Sequence, residues 1–198
     1  MSTIMGIKTN NIVILGADKR LSTYQNKFVS DNSDKIIVVN NHLAIASAGN
    51  AAIQKAIEID IGNLEKEKHL LFIEDGLEVI INLFKKLEDA KAKTVLSCSS
   101  YVILGGLDRK RDMKLVSVSY SHGQLQYSEA QANIIIFPPS DVSMKKCLEI
   151  YVENYNLYPE IMIEKTVEDI SDISAVVSRC GNKWIYDNRS KQSKKIDF

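Results

Sequence analysis

Met1-Ser2-Thr3-Ile4-Met5-Gly6-Ile7-Lys8-Thr9-Asn10-Asn11-Ile12-Val13-Ile14-Leu15-Gly16-Ala17-Asp18-Lys19-Arg20 is the stretch on which the reading of the chain turns. Val13, Ile14 and Leu15 form an apolar run of the buried-strand type, and Asn10-Asn11 is turn chemistry. The stretch therefore predicts two strands, 3–9 and 11–17, joined by a tight turn. It ends in charge, at Asp18-Lys19-Arg20. Charge at the end of a buried strand needs a partner or a task, because burying an unpaired charge is costly. A hydroxyl residue stands directly behind Met1. With Met1 removed, Ser2 carries a nucleophilic oxygen and a free α-amine on one residue.

The 198 residues predict a single domain over 1–198, long enough to bury its own core. An apolar content of 45% with 25% charged residues places it among ordinary soluble globular chains. Formal net charge is zero, which argues against a nucleic-acid or anionic-membrane partner. Three cysteines, Cys98, Cys147 and Cys180, lack metal-ligand spacing and are odd in number, so neither a disulfide framework nor a zinc site is expected. All three are read as reduced core residues. No leader-type or membrane-length apolar run occurs, and the cytoplasm is the expected location. GxGxxG, P-loop and GxSxG motifs are absent, and no metal or cofactor is expected.

Past the hairpin, 21–34 reads as a polar loop interrupted by Phe28-Val29, and Ile36–Val39 and 42–48 as strands. Gly49-Asn50 opens a helix with Ile53, Ala56, Ile57, Ile61 and Leu64 at helical spacing, closed by the charged run Glu65–His69. A second helix runs from Glu74 to Ala90. A long strand is predicted over Val95–Gly106, then strands at Met113–Tyr120, Gln124–Ser128 and Asn133–Phe137. Ser140 or Asp141 is the expected cap of a third helix with the stripe Met144, Cys147, Leu148, Tyr151, Val152 and Tyr155. A fourth helix starts at Glu160. A strand within Ala175–Tyr186 and a frayed polar tail, 189–198, complete the chain. Strand blocks alternating with helix pairs predict an α+β fold of antiparallel sheets with helices outside.

A serine hydroxyl is weak until a base takes its proton. An α-amine with a reference pKa of about 7.7–8 can do so, and a nearby cation keeps it neutral. Lys35 can supply the cation and Asp18 the carboxylate that holds it. Gly49, at a strand-to-helix junction, offers a bare amide for an oxyanion. The plainer alternatives are an ordinary penultimate serine, Arg20 simply paired with Asp18, a surface Lys35 and a turn glycine.

Ser2–Lys8, Gly16-Ala17-Asp18-Lys19-Arg20, Asp34-Lys35-Ile36, Ile45-Ala46-Ser47-Ala48-Gly49-Asn50-Ala51-Ala52 and Leu104-Gly105-Gly106-Leu107-Asp108 together resemble a proteasome β-type subunit, or a bacterial proteasome-like peptidase, of the N-terminal nucleophile hydrolases. The resemblance implies a four-layer αββα sandwich of two antiparallel sheets flanked by helix pairs. It puts the family's nucleophile on Ser2, its acid on Asp18, its lysine on Lys35, its oxyanion glycine on Gly49 and its following arginine on Arg20. It puts the substrate side-chain pocket at Leu21, Ser47 and Ala51. Support for the N-terminus falls on Ser140, with Ser128 as the alternative, and among Asp169, Asp172 and Ser174, of which Asp172 and Ser174 are favoured.

The implied activity is a threonine/serine-type endopeptidase acting on peptide or unfolded-protein substrate after Met1 removal, inside a homo-oligomeric ring or spiral fed by an ATP-dependent unfoldase or another feeder. The alternatives are an inactive assembly subunit of the same fold that retains Met1, and a small-molecule amidase. The segment before the third helix, Phe137-Pro138-Pro139-Ser140-Asp141, departs from the family's small Gly/Ser run.

Overall fold

A computed structural model describes residues 2–23, 27–68 and 71–198. Met1, on whose removal the peptidase reading depends, lies outside the described residues, as do 24–26 of the predicted polar loop and His69 of the charged run.

The opening hairpin forms as predicted. Strands β1 (Ile4–Lys8) and β2 (Ile12–Asp18) pair antiparallel, Ile4 opposite Ala17 and Lys8 opposite Val13. The turn closes on Thr9, whose N–H donates to the Ile12 carbonyl at 2.9 Å and whose Oγ1 accepts from the Ile12 N–H at 3.1 Å. The polar loop that follows contains two short strands, β3 (Leu21–Ser22) and β4 (Phe28–Ser30), which pair with each other. Their few residues are too short a pattern to separate from loop chemistry in the sequence.

Strands β5 (Ile36–Asn40) and β6 (Leu43–Ala48) lead into helices α1 (Ala51–Glu67) and α2 (Ile73–Asp89). Asn50 caps α1, its side chain accepting from the Ala52 N–H at 2.9 Å. Asp75 closes the start of α2 by accepting from the Phe72 N–H at 2.9 Å. The strand expected over 95–106 begins later: Lys93–Leu96 is one helical turn, α3, and strand β7 is Ser100–Leu107. Val95 and Leu96 are apolar because they pack beneath α1 and α2, not because they join a ladder.

Strands β8 (Met113–Ser121), β9 (Gln124–Glu129) and β10 (Ile134–Phe137) precede helix α4 (Met144–Glu153). Its cap is Ser143, which accepts from the Lys146 N–H at 3.2 Å, in place of the expected Ser140 or Asp141. The expected α4 stripe is only partly inward. Cys147 and Ile150 are buried, whereas Met144, Leu148, Val152 and Tyr155 are exposed, because α4 meets the sheet along one narrow seam. Of the cysteines only Cys147 is core: Cys98 is half-buried and Cys180 exposed, and all three are free. Burial pushes the Cys147 thiol up to about 11.

Helix α5 (Pro159–Ser171) starts on a proline, whose missing N–H costs nothing at that position. Strand β11 (Gly181–Asp187) then pairs with β2, Gly181 opposite Asp18. The tail expected to fray forms strand β12 (Gln192–Asp197), laddered onto β11 from Asn182–Asp197 to Asp187–Gln192. Backbone pairing, with little apolar content, holds it in place.

The architecture is α+β, with two five-stranded antiparallel sheets, ordered β10-β1-β2-β11-β12 and β5-β6-β7-β8-β9, and four long helices among the described residues. Three apolar clusters hold it. Ile57, Ile80 and Phe84 pack on Leu43, Leu104 and Val118; Val13, Leu15 and Trp184 meet Ala46, Ile103 and Leu115; Ile163, Val167 and Ile170 lie on Met5, Ile14 and Ile185. No helix is long and apolar enough to cross a membrane, and no group of three or more metal-ligating residues is suitably placed, both among the described residues.

Two glycine substitutions should act in opposite directions. A Cβ at Gly16 would lie 2.3 Å from Ile163 Cγ2, whereas one at Gly62, inside α1, meets nothing within 4 Å. Gly16→Ala should cost about 1–3 kcal/mol in urea unfolding by overpacking α5 on β2. Gly62→Ala should stabilise by about 0.5–1 kcal/mol through helix propensity.

Candidate active site

The β1–β2 register returns the chain past Ser2, so the end of β2 lies beside the start of β1. Asp18 is fully buried there. Its Oδ1 accepts the Thr3 N–H at 2.9 Å, and its Oδ2 accepts the Arg20 N–H at 2.8 Å and the Ser178 N–H at 3.4 Å. Lys35 Nζ completes the set at 2.9 Å from Oδ2. A carboxylate without water needs such a set of partners to be tolerable.

Lys35 is 4% exposed, at the threshold of β5. Its ammonium meets three acceptors: Asp18 Oδ2, the Asp18 carbonyl at 2.7 Å and the Arg20 carbonyl at 2.7 Å. Burial pushes the Lys35 ammonium below the usual lysine range, and Asp18 opposes that shift. Ser2 Oγ donates to the same Arg20 carbonyl at 3.2 Å. The hydroxyl and the ammonium therefore converge on one oxygen.

Gly49 sits between β6 and α1 with φ of +115°, a conformation that L side chains rarely adopt. A Cβ there would lie 2.4 Å from the Ser99 carbonyl. Ser2, Lys35 and Gly49 line one cleft, together with the predicted pocket residues Leu21, Ser47 and Ala51.

Arg20 lines that cleft too, but its guanidinium turns to Asp31, with Nε to Oδ1 at 2.8 Å and Nη2 to Oδ2 at 3.0 Å. Its link to Asp18 is through the backbone N–H. The hydrogen bond with Asp31 pushes the Arg20 guanidinium further up and holds the Asp31 carboxyl below its usual range.

The late supporting residues are placed differently from expectation. Asp172 is the C-cap of α5 and pairs with Arg179 at 2.6 Å. Ser174 donates to Asp141 Oδ1 at 2.7 Å, and Asp141 Oδ2 accepts the Ala175 N–H at 2.9 Å. The Ala175 carbonyl in turn accepts from Arg20 Nη1 at 3.0 Å. Ser174 thus reaches the site through Asp141, Ala175 and Arg20. Ser140 is exposed beside Asp141. Asp169 serves Asn154 and Lys165, and Ser128 faces Ser117 across β8–β9.

The residue that meets Asp18 from the late chain is Ser178, which sequence reasoning missed. Only the β2–β11 register brings it there, and its Oγ is spent on the Cys180 carbonyl at 2.7 Å.

Asp18→Asn removes the charge that holds a buried ammonium, which should cost about 3–5 kcal/mol in urea unfolding near neutral pH. The sign of the pH dependence follows from the lowered Lys35 value. Between that value and the usual 10.5 the unfolded chain binds the extra proton, so this group's contribution to stability rises with pH. Loss of Asp18 lowers the Lys35 value further, so the variant should regain stability relative to the parent as pH rises to the parent's Lys35 value and keep a constant difference above it.

A search of curated proteins found no match. A family model described as Proteasome subunit matches residues 1–128 of the 198, a span that holds Ser2, Asp18, Lys35 and Gly49. The match covers more than half of the chain and begins on the same hairpin that carries the buried pair. The chain belongs to the proteasome subunit family, within the N-terminal nucleophile hydrolase superfamily.

Proposed function

We propose that this subunit is an N-terminal nucleophile peptidase that hydrolyses peptide bonds with Ser2 after Met1 removal. The observation that carries the reading is the convergence of Ser2 Oγ and Lys35 Nζ on the Arg20 carbonyl, above the fully buried Asp18. Lys35 has three acceptors for its three N–H groups, so it acts as a fixed cation and not as the base. The base is the α-amine of Ser2, released when the Met1–Ser2 bond is cleaved, and the Lys35 charge favours its neutral form. The amine takes the hydroxyl proton as Oγ attacks the substrate carbonyl. The Gly49 N–H donates to the oxygen that becomes negative. The proton passes to the leaving amine, and water then hydrolyses the ester on Ser2.

The chain is proposed as one four-layer αββα domain, working in the cytoplasm within a homo-oligomeric ring or spiral that an ATP-dependent unfoldase feeds. The three apolar clusters support the layering, because one is shared between the sheets and each of the others lies under a helix pair.

Short fluorogenic peptides compared between the parent and Ser2→Ala test the nucleophile. Hydrolysis should vanish in the variant, and equal rates would remove Ser2 from the mechanism. Intact mass of protein from its native host separates the peptidase from an inactive subunit, since a population that keeps Met1 throughout has no free Ser2 amine.

A further inference from the structure

Lys35 does not hold its own position. It opens β5, and the residue before it, Asp34, is fastened from three other elements. The Asp34 carbonyl accepts from Gln54 Nε2 of α1 at 2.5 Å. Its Oδ1 accepts from Asn182 Nδ2 of β11 at 2.6 Å and from the Ile36 N–H at 3.1 Å. Its Oδ2 pairs with Lys195 of β12. Lys195 also donates to the Ile36 carbonyl at 2.8 Å, so it grips the backbone on the far side of Lys35 as well.

Two residues further along β12, Asp197 pairs with Lys19 at 2.7 Å, next to Asp18. The last strand therefore touches the neighbours of both charged site residues while touching neither residue itself. Lys195 and Asp197 lie on one face of β12 by strand alternation, the face they share with their cross-strand partners Trp184 and Asn182. Trp184 packs in the cluster between the sheets. The grip thus spans from one sheet to the other.

Resting on the peptidase reading above, we infer that Asp34 and Lys195 are positioning residues for Lys35: they fix where β5 begins, and so where the Lys35 ammonium sits against Asp18 and the Arg20 carbonyl. An isolated ion pair this exposed is worth little to stability. The weight here comes from convergence, since one carboxylate is shared by a lysine, a buried amide and a backbone N–H. Burial draws the Asp34 carboxyl up, but Lys195, the Ile36 N–H and Asn182 outweigh it and hold the group below its usual range. The polar segment whose composition predicts a frayed tail thus becomes part of the site's frame.

The test is an NMR titration of Lys35 in protein carrying 13C at lysine Cε, with the resonance assigned by its loss in Lys35→Arg. Asp34→Asn and Lys195→Met should both move the Lys35 midpoint towards the ordinary lysine value, as water reaches a loosened ammonium. Lys195→Arg should restore the parent midpoint. Lys114→Met, which breaks the 2.7 Å pair with Glu129 on β8–β9, should leave it unchanged. Where peptide turnover is measured, Asp34→Asn should lower kcat roughly ten- to hundredfold with KM unchanged, the cost of a displaced catalytic group. A parent midpoint in both Asp34→Asn and Lys195→Met would overturn the inference, and so would an equal shift in Lys114→Met. If the parent and Ser2→Ala hydrolyse peptides alike, the peptidase reading fails, while the Lys35 titration still decides the positioning role. If Lys195→Met does not fold, Asp34→Asn carries the test alone.

Discussion

A carboxylate and an ammonium buried together dictate the arrangement around them. Asp18 has no solvent and Lys35 almost none, so every lone pair and proton needs a partner within the protein. The partners come from four places in the chain: the Thr3 N–H, the Arg20 N–H and carbonyl, the Ser178 N–H, and each other. Satisfying them brings the start of β1, the end of β2, the threshold of β5 and the approach to β11 to one point. A buried ion pair is poor evidence of stability, because an apolar pair of the same shape would often serve as well. The pair lies beneath the Ser2 hydroxyl, where the proposed mechanism gives its charge electrostatic work to do.

The rest of the fold makes that point rigid. The hairpin and β11 fix the height of Asp18 through consecutive antiparallel ladders. Gly105 faces Val13 and Leu15, and a Cβ there would come within 2.9 Å of both, so it lets β7 pass close to β2 between the sheets. Gly49 performs a different task. Its positive φ turns the chain out of β6 into α1 and leaves a bare backbone at the edge of the cleft. Asp18, at the end of β2, and Lys35, at the start of β5, therefore belong to different sheets, and the packing between the sheets sets their spacing.

Much of this was legible in the sequence, and the exceptions share a cause. The hairpin, both charged residues and Gly49 carry local signals (an apolar run, a charged strand end, a strand-to-helix junction), whereas Leu21, Ser47 and Ala51 were marked only by the family resemblance. Ser178 and Asp141 carry none, because only the β2–β11 register and the approach of residues 174–175 give them partners. Asp172 and Ser174 have suitable chemistry but are claimed by Arg179 and Asp141. Strand β12 reads as a frayed tail because its alternation is polar on polar, and its ladder and its grip on Asp34 are invisible without the fold. Val95-Leu96 misled in the opposite sense, since apolar packing under the helices looks like a strand. The family model ends at residue 128, before α4, so the late chain had to be placed by structure.

The central claim is that the buried pair serves Ser2 as a nucleophile, and covalent capture tests it most directly. Protein whose intact mass shows Met1 absent is incubated with a peptidyl β-lactone, an acylating electrophile, and the adduct is mapped by mass spectrometry. The account predicts one acyl group per chain, on Ser2, with the yield largely lost in a folded Lys35→Met variant. No adduct on a free Ser2, or an equal yield without the lysine, would contradict it.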